Sequence, residues 1–103
     1  MSQRLEALRG LVAQDPTNSF MRYGLAMELV NGGQLEDALR EFQALLAANE
    51  TYSAAYYHGA QTLGKLGRVE EARAFYRRGI EVTTRIGDEH TRSELQAAMD
   101  LLG

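Results

Sequence analysis

Residues 56–72 read YYHGAQTLGKLGRVEEA. Three glycines, Gly59, Gly64 and Gly67, fall within nine positions of a stretch whose other residues favour helix. A glycine inside a helix costs about 1 kcal/mol relative to alanine, so each needs a compensating reason. Two reasons are physically available. A glycine can end a helix in the left-handed geometry that other residues resist, and the sequence assigns that role to Gly67, before the acidic start Glu70-Glu71 of the next helix. A glycine can also let a second helix cross closely. Gly64 fits neither role plainly. It is read either as local weakness near a helix C-terminus or as a notch that lets a ligand approach the backbone.

Outward from this stretch, apolar residues recur at three-and-four spacing, the mark of amphipathic helices. Leu5, Leu8, Leu11 and Val12 make a first stripe, and Pro16 lies just beyond its end. Thr17 or Asn18 can cap the next helix, which carries Phe20, Tyr23, Met27 and Val30 on one face and Leu25, Ala26 and Leu29 on another. Asn31-Gly32-Gly33 ends it. Leu35, Ala38, Leu39, Phe42, Leu45 and Leu46 form the third stripe, ended by Asn49. A fourth helix is expected from about Thr51 to Leu66 and a fifth from about Val69 to Ile86. Gly87 and Asp88 read as a stop and a new N-cap, and Leu95, Ala98, Met99 and Leu102 mark the sixth. The expected fold is all-α, with six helices and short connections that make consecutive helices antiparallel neighbours.

Bulk composition agrees. A chain of 103 residues suits one small domain. It has one proline, few β-branched residues and no cysteine, which excludes disulfides and thiolate metal sites. The first fifteen residues lack the apolar run of a signal peptide or membrane span, so a cytoplasmic location without membrane association is the expectation. The net charge is −3. Residues 1–50 hold the whole excess, with four basic and seven acidic side chains, while residues 51–103 hold seven of each. Neither half has the positive field that nucleic-acid binding requires.

Sliding the sequence against itself by 34 residues pairs Thr17 with Thr51, Tyr23 with Tyr57, Ala26 with Ala60, Leu29 with Leu63, and Gly33 with Gly67. It also aligns GQLEDALREF with GRVEEARAFY. A helix pair repeating at this period resembles the tetratricopeptide repeat (TPR) family. Arg22, Leu25, Ala26, Leu29, Ala38 and Phe42 match the family pattern in one repeat, and Tyr56, Gly59, Ala60, Leu63, Ala72 and Tyr76 in the next. Arg22 in place of the first aromatic, Gly59 in place of leucine, and Glu50 and Thr84 in place of proline depart from it. The resemblance covers about residues 1–86. It implies a right-handed α-solenoid of antiparallel helix pairs forming a single domain over residues 1–103, in which Gly59 and Ala60, like Ala26 one repeat earlier, are the small residues where two helices cross. Residues 1–15 would be an N-terminal half-repeat helix, 19–52 and 53–86 two repeats, and 88–102 a capping helix. Keeping the 34-residue phase would put Glu94 at a helix crossing. A shift by one places Leu95 and Ala98 there instead, which implies a fifth helix one residue longer than usual.

No catalytic constellation appears. The histidines are His58 and His90, and there is no HExxH, phosphate loop or nucleotide fingerprint. The expectation is a protein that is not an enzyme and takes no metal or cofactor. Arg68, Arg73, Arg77, Arg78 and Arg85 crowd the fifth helix. They read first as a solvated convex face and second as a docking patch for an acidic partner.

The resemblance implies that the first helix of each repeat lines a concave groove. By position, that groove presents Phe20, Tyr23, Met27, Val30 and Asn31, then Tyr57, His58, Gln61, Gly64 and Lys65. The subclass that clamps C-terminal carboxylates needs Lys and Asn where Tyr23 and Met27 stand, so it is rejected. The peptide-binding set is Phe20, Tyr23, Met27, Asn31, Tyr57, His58, Gln61 and Lys65. Its aromatic and apolar character implies a protein partner, an extended peptide or amphipathic helix held by apolar anchors, with the chain as adaptor. The alternative is a scaffold that forms homodimers through an open flank built on Leu5, Leu8 and Leu11.

Overall fold

The computed structural model describes residues 2–103 and is all-helical over them. The helices are α1 (Gln3–Gln14), α2 (Ser19–Asn31), α3 (Leu35–Ala48), α4 (Ser53–Lys65), α5 (Val69–Ile86) and α6 (Glu89–Leu101). Three begin at side-chain caps. Ser2 accepts from the amide of Leu5, Asn18 from that of Met21 at 3.0 Å, and Asp88 from that of Thr91 at 3.2 Å. Asn18 rather than Thr17 is therefore the cap of α2. Helix α4 starts two residues later than the sequence suggests. Asn49–Tyr52 instead forms a turn closed by the Tyr52 amide on the Asn49 carbonyl, and the Thr51 hydroxyl donates to the Asn49 side chain. Gly33 and Gly67 occupy matching turns, at φ of 77° and 78°. At these two positions a side chain would be strained.

Each helix packs on its neighbour in sequence, and the result is a helical solenoid. Helices α2, α4 and α6 touch along one face, whereas α1, α3 and α5 stand apart on the other. The molecule is therefore curved, with one concave and one convex side. Leu5, Val12, Leu25, Leu29, Phe42 and Leu45 fill the first part of the core. Leu39, Leu63 and Ala72 carry it across to the second helix pair. Tyr56, Ala60, Tyr76, Val82 and Leu95 complete it against α6. Ala26, Ala38, Ala60 and Ala72 are fully buried, at the repeating positions where the sequence places small residues.

The expected open flank on α1 is largely closed. Leu5 is buried and Leu8 is half-buried beside Gly24, so only Leu11 remains exposed. The amphipathic stripe of α1 is consumed by packing on α2, because one such helix face is just wide enough to cover its partner.

Arg22, which departs from the repeat pattern, proves to do the job of its counterpart. Its guanidinium donates to Glu41 on α3 at 2.7 Å and to the carbonyl of Pro16 at 3.1 Å. At the aligned position, the Tyr56 hydroxyl donates at 2.7 Å to the carbonyl of Glu50. Pro16 and Glu50 also correspond at the 34-residue offset. Both side chains tie their helix to the chain segment that enters it, and each spares a carbonyl from going unpaired.

Helix α5 spans the range that the sequence suggests, Val69–Ile86. It has 18 residues against 14 in α3, and the connection to α6 is correspondingly short. Leu95 is fully buried, in line with the shifted register. The residue it meets is Gly79, which the repeat comparison does not single out. A Cβ at Gly79 would lie 2.6 Å from Tyr56 Cβ and 2.9 Å from Leu95 Cδ1. At Gly59 a Cβ would strike the ring of Phe75, whereas at Gly64 it would meet nothing within 4 Å.

These surroundings give two opposite expectations. Gly64→Ala gains helix propensity without a clash and should raise stability by about 0.5–1 kcal/mol. Gly79→Ala gains the same propensity but overpacks against Tyr56 Cβ, which cannot move without its backbone. The net loss should be about 1–2 kcal/mol. Urea denaturation of the two variants checks both signs.

Candidate binding groove

Helices α2, α4 and α6 build the concave side, and the residues expected there divide among three places. The first is a groove of about 720 Å³ between α4 and α6. Tyr57, Gln61, Gly64 and Lys65 form one wall, and Glu94, Ala97, Ala98 and Leu101 form the other, with Tyr76 and Ala60 below. The helical spacing of 57, 61, 64 and 65 puts these residues on one face of α4. Gly64 leaves the wall open at backbone level, since no side chain occupies that space.

The second place is an aromatic cluster between α2 and α4. Tyr23 is at its centre, with ring centroids 5.4 Å from Tyr52, 5.9 Å from His58 and 6.3 Å from Phe42. Tyr57 meets His58 edge-on at 5.2 Å, which joins the cluster to the groove. Met27 packs half-buried against the core beside it. Tyr23 and His58 are thus part support and part surface.

The third place comprises the two ends of α2. Phe20 stands 73% exposed at its start. Asn31, at its end, opens onto a separate recess of about 390 Å³ with Ser2, Leu5 and Glu28, on the α1 side. Asn31 and Tyr57 therefore do not share a cavity.

The wall supplied by α6 was not foreseen. Glu94, Ala97 and Leu101 follow from the same phase shift that buries Leu95. The sequence assigns this helix the role of a cap and no part in the groove. Leu101 is 89% exposed, a large apolar side chain with no partner. That is the signal which could have flagged it.

Burial sets the electrostatics. The Tyr23 hydroxyl titrates above its ordinary value, first because it is desolvated and then because Tyr52 is near. It stays protonated and able to donate. Burial pushes the His58 imidazole down from its usual value; Glu94 opposes this and Lys65 adds to it. His58 is therefore a neutral, polar handle at pH 7 that can donate from one nitrogen and accept at the other. Among the described residues no group of three or more His, Cys, Asp and Glu could hold a metal ion. No helix there is long and apolar enough to cross a membrane. What the groove offers is apolar contact area with Gln61, Lys65 and Glu94 as orienting polar groups.

Comparison with known proteins gives a consistent result. A family model described as tetratricopeptide repeat matches residues 1–79. An uncharacterised protein of Methanocaldococcus jannaschii is 38% identical over 60 residues, covering 58% of this chain and 70% of that protein. The solution structure of a tetratricopeptide repeat domain protein from Salinibacter ruber superposes with a TM-score of 0.81 at 34% identity, covering 85% of this chain and 89% of that one. The solution structure of a Bordetella parapertussis protein gives 0.84 at 28% identity, over 99% and 89%.

The position of His58 makes pH a probe of the site. Its folded-state value lies below the unfolded value of about 6.5, so the unfolded chain takes up the proton first as pH falls. Stability contributed by neutral His58 should be present above that value and be lost as pH drops through it toward the depressed folded value. An NMR titration should place the His58 midpoint below 6.5. The slope of stability against pH between 7.5 and 6 should be shallower in His58→Gln.

Proposed function

Because the chain belongs to the tetratricopeptide repeat family, whose members are in general non-catalytic protein-interaction modules, we propose that it holds a peptide or an amphipathic helix of another protein in its concave groove. The observation that carries this reading is the α4–α6 groove, where Leu101 and Tyr57 offer apolar surface that the fold itself leaves uncovered. A partner would seat apolar side chains between Tyr57 and Leu101. Its polar groups would meet Gln61, Lys65 and Glu94, which differ in charge and so give orientation. His58 meets Tyr57 edge-on and Tyr23 in turn, which ties this wall to the aromatic cluster and limits the rotamer freedom lost on binding. Phe20, exposed at the start of α2, would extend the contact only for a longer partner that reaches it, and Asn31 only for one that wraps past α2.

Self-association through α1 is the second reading, now confined to Leu11. Leu8 packs beside Gly24, so Leu8→Glu would disturb the fold as well as any interface. Leu11→Glu is the cleaner probe.

Two measurements test these readings. In affinity capture, Tyr57→Ala should lose the bound partner while keeping the helical circular dichroism of the parent chain. Capture that survives the substitution would sink the groove reading. In light scattering across a concentration series, a constant monomer mass is expected. A dimer that Leu11→Glu converts to monomer would put the second reading in its place.

A further inference from the structure

The convex side carries a feature that the concave groove does not explain. Helices α3 and α5 stand apart there and leave an open recess of about 610 Å³, lined by Leu46, Ala47, Tyr56 and Phe75 with Glu50 and Arg78 at its edge. A second recess of about 470 Å³ lies between α5 and α6, lined by Ile80 and Met99 with Arg77 and Glu81. The two share Ala74 and Arg78. Ala74 is exposed, and its small side chain makes a low saddle between them.

The charges around this double recess are unevenly matched. Arg78 and Arg85 both reach the single carboxylate of Glu50, at 2.9 and 3.1 Å. Each keeps more than half of its side chain exposed. Glu81 touches Arg78 only at 3.9 Å. Arg77 is exposed and makes no ion pair among the described residues. In a chain of net charge −3, this is a local surplus of guanidinium donors beside aliphatic surface. Arginine in that setting suits carboxylates, which it can bind in bidentate fashion.

We infer that this outer face of α5 is a second docking surface, and that its occupant is an acidic amphipathic helix of a partner protein. The apolar stripe of such a helix would lie over the Ala74 saddle and fill both recesses. Its flanking carboxylates would pair with Arg77 and with the free donors of Arg78 and Arg85. Single-stranded RNA suits the face less well. Tyr56 is buried and Phe75 half-buried against Gly59, so no aromatic face is free for base stacking.

The test uses the full chain and a fluorescein-labelled synthetic helix with Leu at i, i+3, i+4 and i+7 and Glu on the opposite face. A second peptide carries Lys in place of every Glu, and a uridine 12-mer serves as the RNA probe. The glutamate peptide should bind at least tenfold tighter than the lysine peptide and the RNA. Amide shifts should concentrate in residues 43–50, 74–85 and 96–99. Arg77→Glu, which breaks no ion pair or side-chain hydrogen bond among the described residues, should weaken binding roughly tenfold, and Arg78→Gln should add to the loss. Tyr57→Ala should leave the affinity unchanged, which separates this surface from the concave groove. Equal affinity for the two peptides, tighter binding of the RNA, shifts confined to the Tyr57–Lys65 wall, or no binding of the glutamate peptide would each overturn the inference.

Discussion

The close crossing of neighbouring helices is the constraint from which the rest of this structure follows. Two helices can approach to the short end of the usual 8–10 Å only where the contact residues are small. Here those residues are Ala26 and Ala38 in one pair and Gly59, Ala60 and Ala72 in the next, all buried. Gly59 accepts the ring of Phe75, and Gly79 lets Tyr56 and Leu95 converge on α5 from two sides. Tight crossing brings α2, α4 and α6 together on one side and leaves α1, α3 and α5 splayed on the other. The groove on the concave side and the clefts on the convex side are both results of that asymmetry. The glycines that would weaken an isolated helix are offset by the aromatic burial they permit, since Tyr56 is buried and Phe75 half-buried against them.

A second device keeps the pairs in register. Arg22 and Tyr56 occupy the same place in successive pairs and bond the carbonyls of Pro16 and Glu50, each six residues upstream. One is a cation and the other a phenol, so residue-type comparison counts them as a mismatch. Their common property is a long side chain with a terminal donor. Glu50 has a further part, since its carboxylate draws Arg78 and Arg85 to the junction of the two pairs. These pairs are exposed and contribute little to stability one by one. Their consequence is to gather positive charge at the rim of the convex recess.

Much of the architecture was legible before any coordinates. The 3.6-residue periodicity, Gly33 and Gly67 as turn residues, Asp88 as a cap and the 34-residue offset each encode local or nearest-neighbour requirements, and such requirements leave marks in sequence order. The extent of α5 was legible as well, because Gly87 and Asp88 mark a stop and a new N-cap at its end. Gly79 escaped notice because its aligned residue, Leu45, is large. The need for a glycine there arises from two side chains on other helices, Tyr56 of α4 and Leu95 of α6, whose convergence no offset within the chain records. The groove was half legible. Its α4 wall is what the repeat resemblance implies for the first helix of a pair, whereas its α6 wall depends on the rotation of a helix whose phase the repeat does not set.

The sequence by itself determined six amphipathic helices, their order, the residues that end them and the small residues at which they cross. All of these rest on backbone geometry and on burial patterns that act within a helix or between adjacent ones. Only the tertiary structure decided which exposed side chains share a surface. It closed the α1 flank over Leu5, sent Asn31 and Tyr57 to different cavities, and set Leu101 opposite Tyr57. The physical reason is that a surface is shared by helices whose relative rotation depends on packing summed over the core, and no short pattern in the chain records that sum.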